Sequence, residues 1–432
     1  MALVLVLLVI AVLSLLGMAG TRSAQTELQM GQKDLVGRQA LSVAEAGINH
    51  AYSLISTNAA SRPNPPSACD TCWGFDSELS SGGTGGALAS LGTTATLSGQ
   101  SYRFRSFGGG TADGYYVHAV DNYDETSGAN NPATDRDAKI YLVSRARVGS
   151  AERIVTALVT GNSLFPDGVF GNRKVLVSGG ATMDGFDSRD GAYSAATAGS
   201  IGVRSDGNID VSGTTTVLKG VPTAGGQVTV GGGATVTGTP INGASTINFP
   251  PVPVCGPPYS GSTGISCTPA SPPCYTQSTG ALTSTANYQT ITLEGGTYCF
   301  SSITISSHST LQVSSPVNLY LTGLFDATSG TVVNTTGVAS DLKLFDSFVS
   351  TYKSNGDPNN NQSIQLSGGQ QSYMTVYAPQ AAVTFSGNSD FYGSVIADWV
   401  SDTGGTPIHY DGALASVLGA GAGLSKWHEV RN

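Results

Sequence analysis

Met1–Ile55 reads MALVLVLLVIAVLSLLGMAGTRSAQTELQMGQKDLVGRQALSVAEAGINHAYSLI, and the change of pattern inside it decides the architecture. Met1–Gly20 carries no charge, and the first charged side chain is Arg22. Twenty helical residues rise about 30 Å, the thickness of a bilayer core. A secretory signal places basic residues before a shorter apolar run; none precede this one, although Ala19-Gly20-Thr21 has the composition of a cleavage site. Beyond Thr26 the apolar residues become periodic: Leu28, Leu35, Val43, Gly47, Ile48, Ala51, Tyr52 and Ile55. Gln25, Glu27, Gln32, Lys33, Arg38, Gln39 and Asn49 fall on the other face. The pattern predicts one helix over 1–57, apolar all round and then amphipathic. Gly17, Gly20, Gly31 and Gly37 each cost such a helix ~1 kcal/mol and mark places for unwinding or close helix approach.

The 432 residues suffice for two or three domains. Charged residues are 11% and glycines 57, which points to short strands and tight turns rather than disorder. A net charge of −9 without a basic run excludes nucleic acid as a partner class. Six cysteines, an even number in loop-rich segments, indicate disulfides and an oxidising compartment. Only Cys69-Asp70-Thr71-Cys72 has zinc-like spacing, and no second pair follows it.

After the helix, 58–86 reads as a Pro/Gly/Cys linker and 87–161 as a small antiparallel sheet able to cover the helix's apolar stripe. Residues 162–432 form a Gly/Ser/Thr-rich β-head. Within it, short strands recur with small-residue turns such as Ser178-Gly179-Gly180 and Gly231-Gly232-Gly233. The expected fold class is therefore α+β: a long N-terminal helix on a small antiparallel sheet, then a large all-β head. Recurrence without intervening helices predicts a parallel β-solenoid, and a β-sandwich is the alternative. A Pro-rich insertion at 249–274 interrupts the expected rungs.

The helix resembles the N-terminus of type IV pilins, and more closely that of PilX-type assembly proteins. The residues that carry the resemblance are Met1–Gly20, then Glu27, Met30, Arg38-Gln39-Ala40 and Ala44-Glu45-Ala46-Gly47. Tyr377–Ala397 with Ile408-His409-Tyr410-Asp411 looks like the β-helix module of PilX-like and polymer-forming surface proteins. The resemblance implies a mature N-terminus processed and methylated at Met1. It also implies a filament core built from Met1, Leu3, Leu5, Leu8, Val12, Leu15 and Leu16. The implied partners are further copies of the chain and other pilins of the same machinery. The implied location is the inner membrane before assembly and the cell surface afterwards. Leu5 occupies the position where many major pilins carry Glu, so a charge pair is replaced by apolar packing. The resemblance implies a structural subunit of an extracellular type IV pilus-like filament with its β-rich head exposed; Leu5 and the length of the chain count toward the alternative, a minor or tip subunit or an adhesin.

Three further readings concern sites. Asp121, Asp124, Glu125, Asp135 and Asp137 offer oxygens for one structural Ca²⁺, although the spacing is not that of an EF-hand; the alternative is a solvated acidic loop neutralised by Arg136 and Lys139. Nearest neighbours in sequence give disulfides Cys69–Cys72, Cys255–Cys267 and Cys274–Cys299. No nucleophile elbow, P-loop or HExxH is present. His409-Tyr410-Asp411 and Asp184, Asp187, Arg189 and Asp190 are the nearest approach to a polysaccharide-active constellation. They read more simply as a rung and a turn, so no enzyme is expected.

Overall fold

The computed structural model describes residues 2–61, 75–107, 113–122, 135 and 139–430, except positions 248, 250, 251, 253, 258, 260, 262, 307, 355, 360–362, 367–370, 388 and 417. Of these, the side chains of 2–6, 58–61, 162, 416–428 and 430 are not described. The chain divides into two compact units, Met1–Asn162 with Leu418–Asn432, and Ser163–Val417.

In the first unit a single helix, α1, runs from Ala2 to Ser61. It passes through Gly17, Gly20 and Gly31 without a break, and nothing lies near any of the three. Its apolar N-terminal half is bare: Leu8, Val12, Leu15 and Leu16 are 47–68% exposed. The buried stripe begins only at Gly37 and continues as Ala40, Ala44, Ile48, Ala51 and Ile55, each fully buried. Leu28 and Leu35, expected in that stripe, stay exposed because they precede the stretch covered by the sheet.

That sheet is an antiparallel meander of β1 (Thr93–Leu97), β2 (Gln100–Ser106), β3 (Gly114–Asp121), β4 (Lys139–Val148) and β5 (Ala151–Ser163). The alternation along β4 puts Ile140, Leu142 and Ala146 under the helix, as a half-buried strand requires. Gly47 is where helix and sheet come closest. A Cβ there would run into Ser144 Oγ and stand 3.0 Å from Tyr115 Cγ. A sixth strand, Leu418–Val430, hydrogen-bonds beside β5 and touches α1. The C-terminus therefore belongs to this unit, which corrects the expectation that 162–432 forms one head; the partner strand is simply remote in sequence.

The second unit is built from parallel ladders. Gly296–Phe300 lies on Val317–Leu321, which lies on Leu342–Asp346, then Ser372–Phe385, then Phe391–Asp402. The ladder continues from Phe391–Asp402 directly onto Val169–Val177, then Val203–Ser205 and Asn208–Ser212, and ends on Pro222–Ala224 and Val228–Gly231. The three turns that come first in sequence are thus stacked on the last. Inward columns are apolar, for example Val383, Val400, Val175 and Ile209. A β-sandwich needs antiparallel ladders, and among the described strands of this unit only the short Ile265–Thr268 and Tyr275–Thr276 pair that way.

This order changes the meaning of the Pro-rich segment. It does not interrupt successive turns; it connects one end of the stack to the other. Along its course Arg204 donates to the Ser245 carbonyl, and Ile247 N donates to Asp206. The Phe249 ring then meets Phe170 at 4.6 Å and Tyr377 at 6.1 Å. Val252 is buried in the same apolar cluster, and Cys255 is bonded to Cys299. The second bridge is Cys267–Cys274. Both differ from the expected Cys255–Cys267 and Cys274–Cys299. The strap carries Cys255 past the Tyr320 carbonyl to its own strand neighbour, whereas 267 and 274 face each other across a Pro-rich reversal. Cys69 and Cys72 lie outside the described residues.

Gly47→Ala should lower the unfolding free energy of the first unit by about 2 kcal/mol through overpacking, despite alanine's better helix propensity. Ser144→Ala should recover part of that loss, because Ser144 Oγ has no hydrogen-bond partner to lose. Urea melts of the two single variants and the double variant measure both effects.

Candidate functional site

The residues singled out in the sequence fall on the helix, at the seam where the last turn meets the first, and in the acidic stretch between β3 and β4. Of the filament-core set, Leu8, Val12, Leu15 and Leu16 are exposed on α1. Leu3 and Leu5 lie on the same helix with side chains not described, and Met1 is outside the described residues. An 18-residue window of α1 has mean hydropathy 1.8 and is 0% buried within the chain, long and apolar enough to cross a membrane.

At the seam, the pairing of Phe391–Asp402 with Val169–Val177 is reinforced by Val395 N to Gly168 O at 2.9 Å and Ser178 N to Asp402 O at 2.7 Å. Side chains add to it at three places. Asp398 accepts from Asn172 Nδ2 at 3.1 Å, Arg173 Nε at 2.7 Å and the Tyr352 hydroxyl at 2.6 Å. Asp411 Oδ1 accepts from Ser188 N at 2.9 Å, and the Tyr410 hydroxyl donates to Phe165 O at 2.9 Å. His409, paired in register with Asp184, holds its Oδ1 through Nδ1 at 2.6 Å.

Around that last pair stand Tyr193, Lys219, Tyr392 and Asp390. The Tyr193 hydroxyl donates to Asp184 Oδ2 at 3.0 Å, and Lys219 Nζ lies 3.4 Å from the same oxygen. The His409 ring is flanked by Tyr193 at 3.9 Å and Tyr392 at 4.8 Å, and its Nε2 faces Asp390 at 3.8 Å. Burial raises the Asp184 carboxyl, but hydrogen bonds from His409 and Tyr193 and the Lys219 charge outweigh it, holding the group below its ordinary value. Burial beside this carboxylate pushes the Tyr193 hydroxyl up. His409 and Asp184 are 3% and 1% exposed, so this pair works as a buried clamp between turns. Asp187, Arg189 and Asp190 make the expected turn: Asp187 caps Ser188–Asp190 and pairs with Arg189.

The acidic-loop set divides. Asp121 closes β3 and is 1% exposed. Asp135 is fully buried; it accepts Phe75 N at 2.7 Å and Lys139 N at 3.2 Å, while its own N–H donates to Asp76. Asp124, Glu125 and Asp137 lie outside the described residues. Among the described residues no group of three or more His, Cys, Asp or Glu could hold a metal.

Sequence reasoning found His409 and Asp184 separately but not their meeting, 225 positions apart. It missed Tyr193 and Asp398, which sit in no periodic pattern. The recurrence of outward polar and aromatic residues at equivalent turn positions was the one available signal.

Comparison with known proteins adds little chemistry. A family model described as a domain of unknown function, DUF7305, matches residues 309–417, the turns that lead up to and include one side of the seam. No curated protein matches. Among solved structures, the chain is similar to the competence-associated pilin ComZ from Thermus thermophilus. The identity is 13% and the TM-score 0.29, over 91% of this chain and 97% of that one.

Asp402 yields a pH prediction. It stands in an inward column between Phe385 and Val177, and burial pushes its carboxyl up to about 7 against the opposing hydrogen bonds from Thr406, Gly405 and Gly404. A raised carboxyl contributes stability in its protonated form; that contribution is complete below about pH 4 and is lost as pH rises through 7. The Ser163–Val417 unit should therefore melt at lower temperature at pH 8 than at pH 5. For Asp402 the difference is on the order of 3 kcal/mol, and Asp402→Asn should remove that share of the dependence in thermal melts across that range, leaving the share of Asp346 and Asp167, which burial also raises.

Proposed function

We propose that this chain is a non-enzymatic structural subunit of an extracellular type IV pilus-like filament. On this reading Met1–Gly20 holds it in the inner membrane until assembly. The same helix then packs against those of other copies and of companion pilins. The observation that carries the reading is the division of α1 into two halves. Ala40–Ile55 is buried against the chain's own sheet, while Leu7–Met18 is helical, uncharged and exposed on every side. An apolar surface of that extent needs lipid or other helices around it. A contact repeated from copy to copy without closing generates a helical filament. Leu5 leaves that contact without a buried carboxylate, so its register rests on apolar packing. The resemblance to PilX-type proteins extends the proposal to a methylated N-terminus at Met1.

The Ser163–Val417 unit, with its parallel turns stacked in register, we read as a β-solenoid head displayed on the outside. The size of this head, 163–417, supports a second reading in which the chain is a minor or tip subunit that primes assembly or adheres to surfaces. The enclosure of His409 and Asp184 weighs against the reading as a polysaccharide-active enzyme.

Deletion of Met1–Gly20 is expected to convert a detergent-dependent or polymeric protein into a soluble monomer by size-exclusion chromatography with light scattering. Polymers that persist without those residues would refute helix-driven assembly. Weighing subunits in sheared surface fibres by mass spectrometry separates the two placements: stoichiometric amounts fit the repeating subunit, trace amounts the minor one.

A further inference from the structure

One side of the stack in the second unit is uncharged and lined with hydroxyls. Thr290–Leu293, Thr310–Val313 and Thr331–Asn334 pair in parallel, and Ile265–Thr268 joins Thr290–Leu293 antiparallel. Alternation along these strands sends Ile291, Leu293, Leu311, Val313 and Val332 inward, where they are buried. It leaves Ser266 and Thr268, Thr290 and Thr292, Thr310 and Gln312, and Thr331 on the outer face, each with part of its surface open. Polar side chains therefore recur ~4.8 Å apart across the strands and ~6.6 Å apart along them. The Thr310 and Thr331 hydroxyls hydrogen-bond to each other at 2.9 Å. None of the four strands contains Asp, Glu, Lys or Arg, and between Lys219 and Asp326 the one charged residue is Glu294.

At one margin of this face stand Tyr288 and His308, at equivalent positions two residues before Thr290 and Thr310. Their φ angles are 60° and 59°. A bulky side chain rarely adopts this left-handed conformation, which Gly or Asn accepts without the same strain. Burial does not offset the strain, because Tyr288 is 72% exposed and His308 is exposed as well. The two rings stack on each other at 5.3 Å with 20° between their planes. Ser309 ties the two corners together: its Oγ accepts from Gln289 N at 3.1 Å and donates to Ala286 O at 3.0 Å. Strained residues that contribute nothing to the core are where a ligand contact is to be sought.

We propose that this face, with the Tyr288–His308 pair at its margin, binds an uncharged polysaccharide. Such a polymer carries hydroxyls at regular intervals, each able to donate and to accept. The Thr and Ser hydroxyls and the Gln312 amide have the same double capacity and recur at regular intervals themselves. The C–H face of a sugar ring is apolar and lies flat against an aromatic ring, which Tyr288 presents to solvent. Charge decides the class of glycan. The four strands offer no fixed charge to pair with a uronic acid, a sulfate or an amine, and an ionised group brought onto them would lose water without compensation. The site belongs to the second unit alone, so it goes beyond filament assembly and holds for a repeating and a minor subunit alike.

The test uses the full-length chain in a detergent without a sugar headgroup, sedimented with insoluble cellulose, chitin and mannan, and with carboxymethyl-cellulose as the anionic counterpart. Retention on an uncharged polymer is expected, with several-fold less on carboxymethyl-cellulose. Tyr288→Asn/His308→Asn should weaken retention about tenfold by removing the rings. Its melting temperature should equal or exceed that of the wild-type chain, because Asn enters the left-handed region more readily. Thr292→Glu, which sets a charge on the outer face, should abolish retention. Absence of retention on all three uncharged polymers overturns the proposal. Retention equal on carboxymethyl-cellulose, or unchanged in both variants, also overturns it. If one variant does not fold by circular dichroism, the other decides.

Discussion

The second unit depends on one set of backbone hydrogen bonds, those between Phe391–Asp402 and Val169–Val177. A parallel turn cannot bury its inner face alone; it needs a neighbour above and below. Without this seam the first three turns would stand apart from the rest, and the last would end on an open edge. The side chains placed there are what such a joint requires. Asp398 gathers two donors from across it, Asn172 and Arg173, and a third from Tyr352 on its own side; His409 and Asp184 close a second point, and Asp411 takes a backbone N–H from Ser188. Residues that suggest catalysis when read one by one are accounted for as fastenings between turns.

The first unit solves a different problem by a similar economy. Half of α1 is spent on the chain's own sheet, at the spacing that puts Ala40, Ala44, Ile48, Ala51 and Ile55 on one side. Small residues along this seam of contact let the helix axis approach β4, and Gly47 does so most closely because even a methyl group would strike Ser144. The glycine of Ala44-Glu45-Ala46-Gly47 is therefore explained by a local steric demand. The other half of the helix has no such partner among the described residues.

How much of this could be read beforehand follows from the range of each interaction. The helix was legible because its periodicity is local, and the meander because β4 and β5 alternate and are joined by a short turn. The strands of the second unit were legible singly for the same reason. Their order was not: neighbours such as Val395 and Val169 carry no mark of each other, and stacking the early turns on the late ones leaves local patterns unchanged. The same limit defeated the disulfide pairing, where nearest cysteines in sequence were not nearest in space. Leu28 and Leu35 failed differently: the amphipathic period continues past the point where the sheet stops, so the pattern was present without the contact. At the candidate site, His409 and Asp184 were visible as residues, but Tyr193 arrives from a loop that no periodicity announces.

The seam also has a consequence for the time course of folding. As the chain is made or exported from its N-terminus, Val169–Gly231 emerges well before the strand that must lie against Val169–Val177. Closing so long a loop is entropically slow, and structures dominated by distant pairings fold slowly as a class. For that interval three turns carry an uncovered edge of the kind that invites pairing with the wrong strand. The compartment in which this head matures thus sees a partly built stack, whose final act is the arrival of Phe391–Asp411 from the opposite end of the unit.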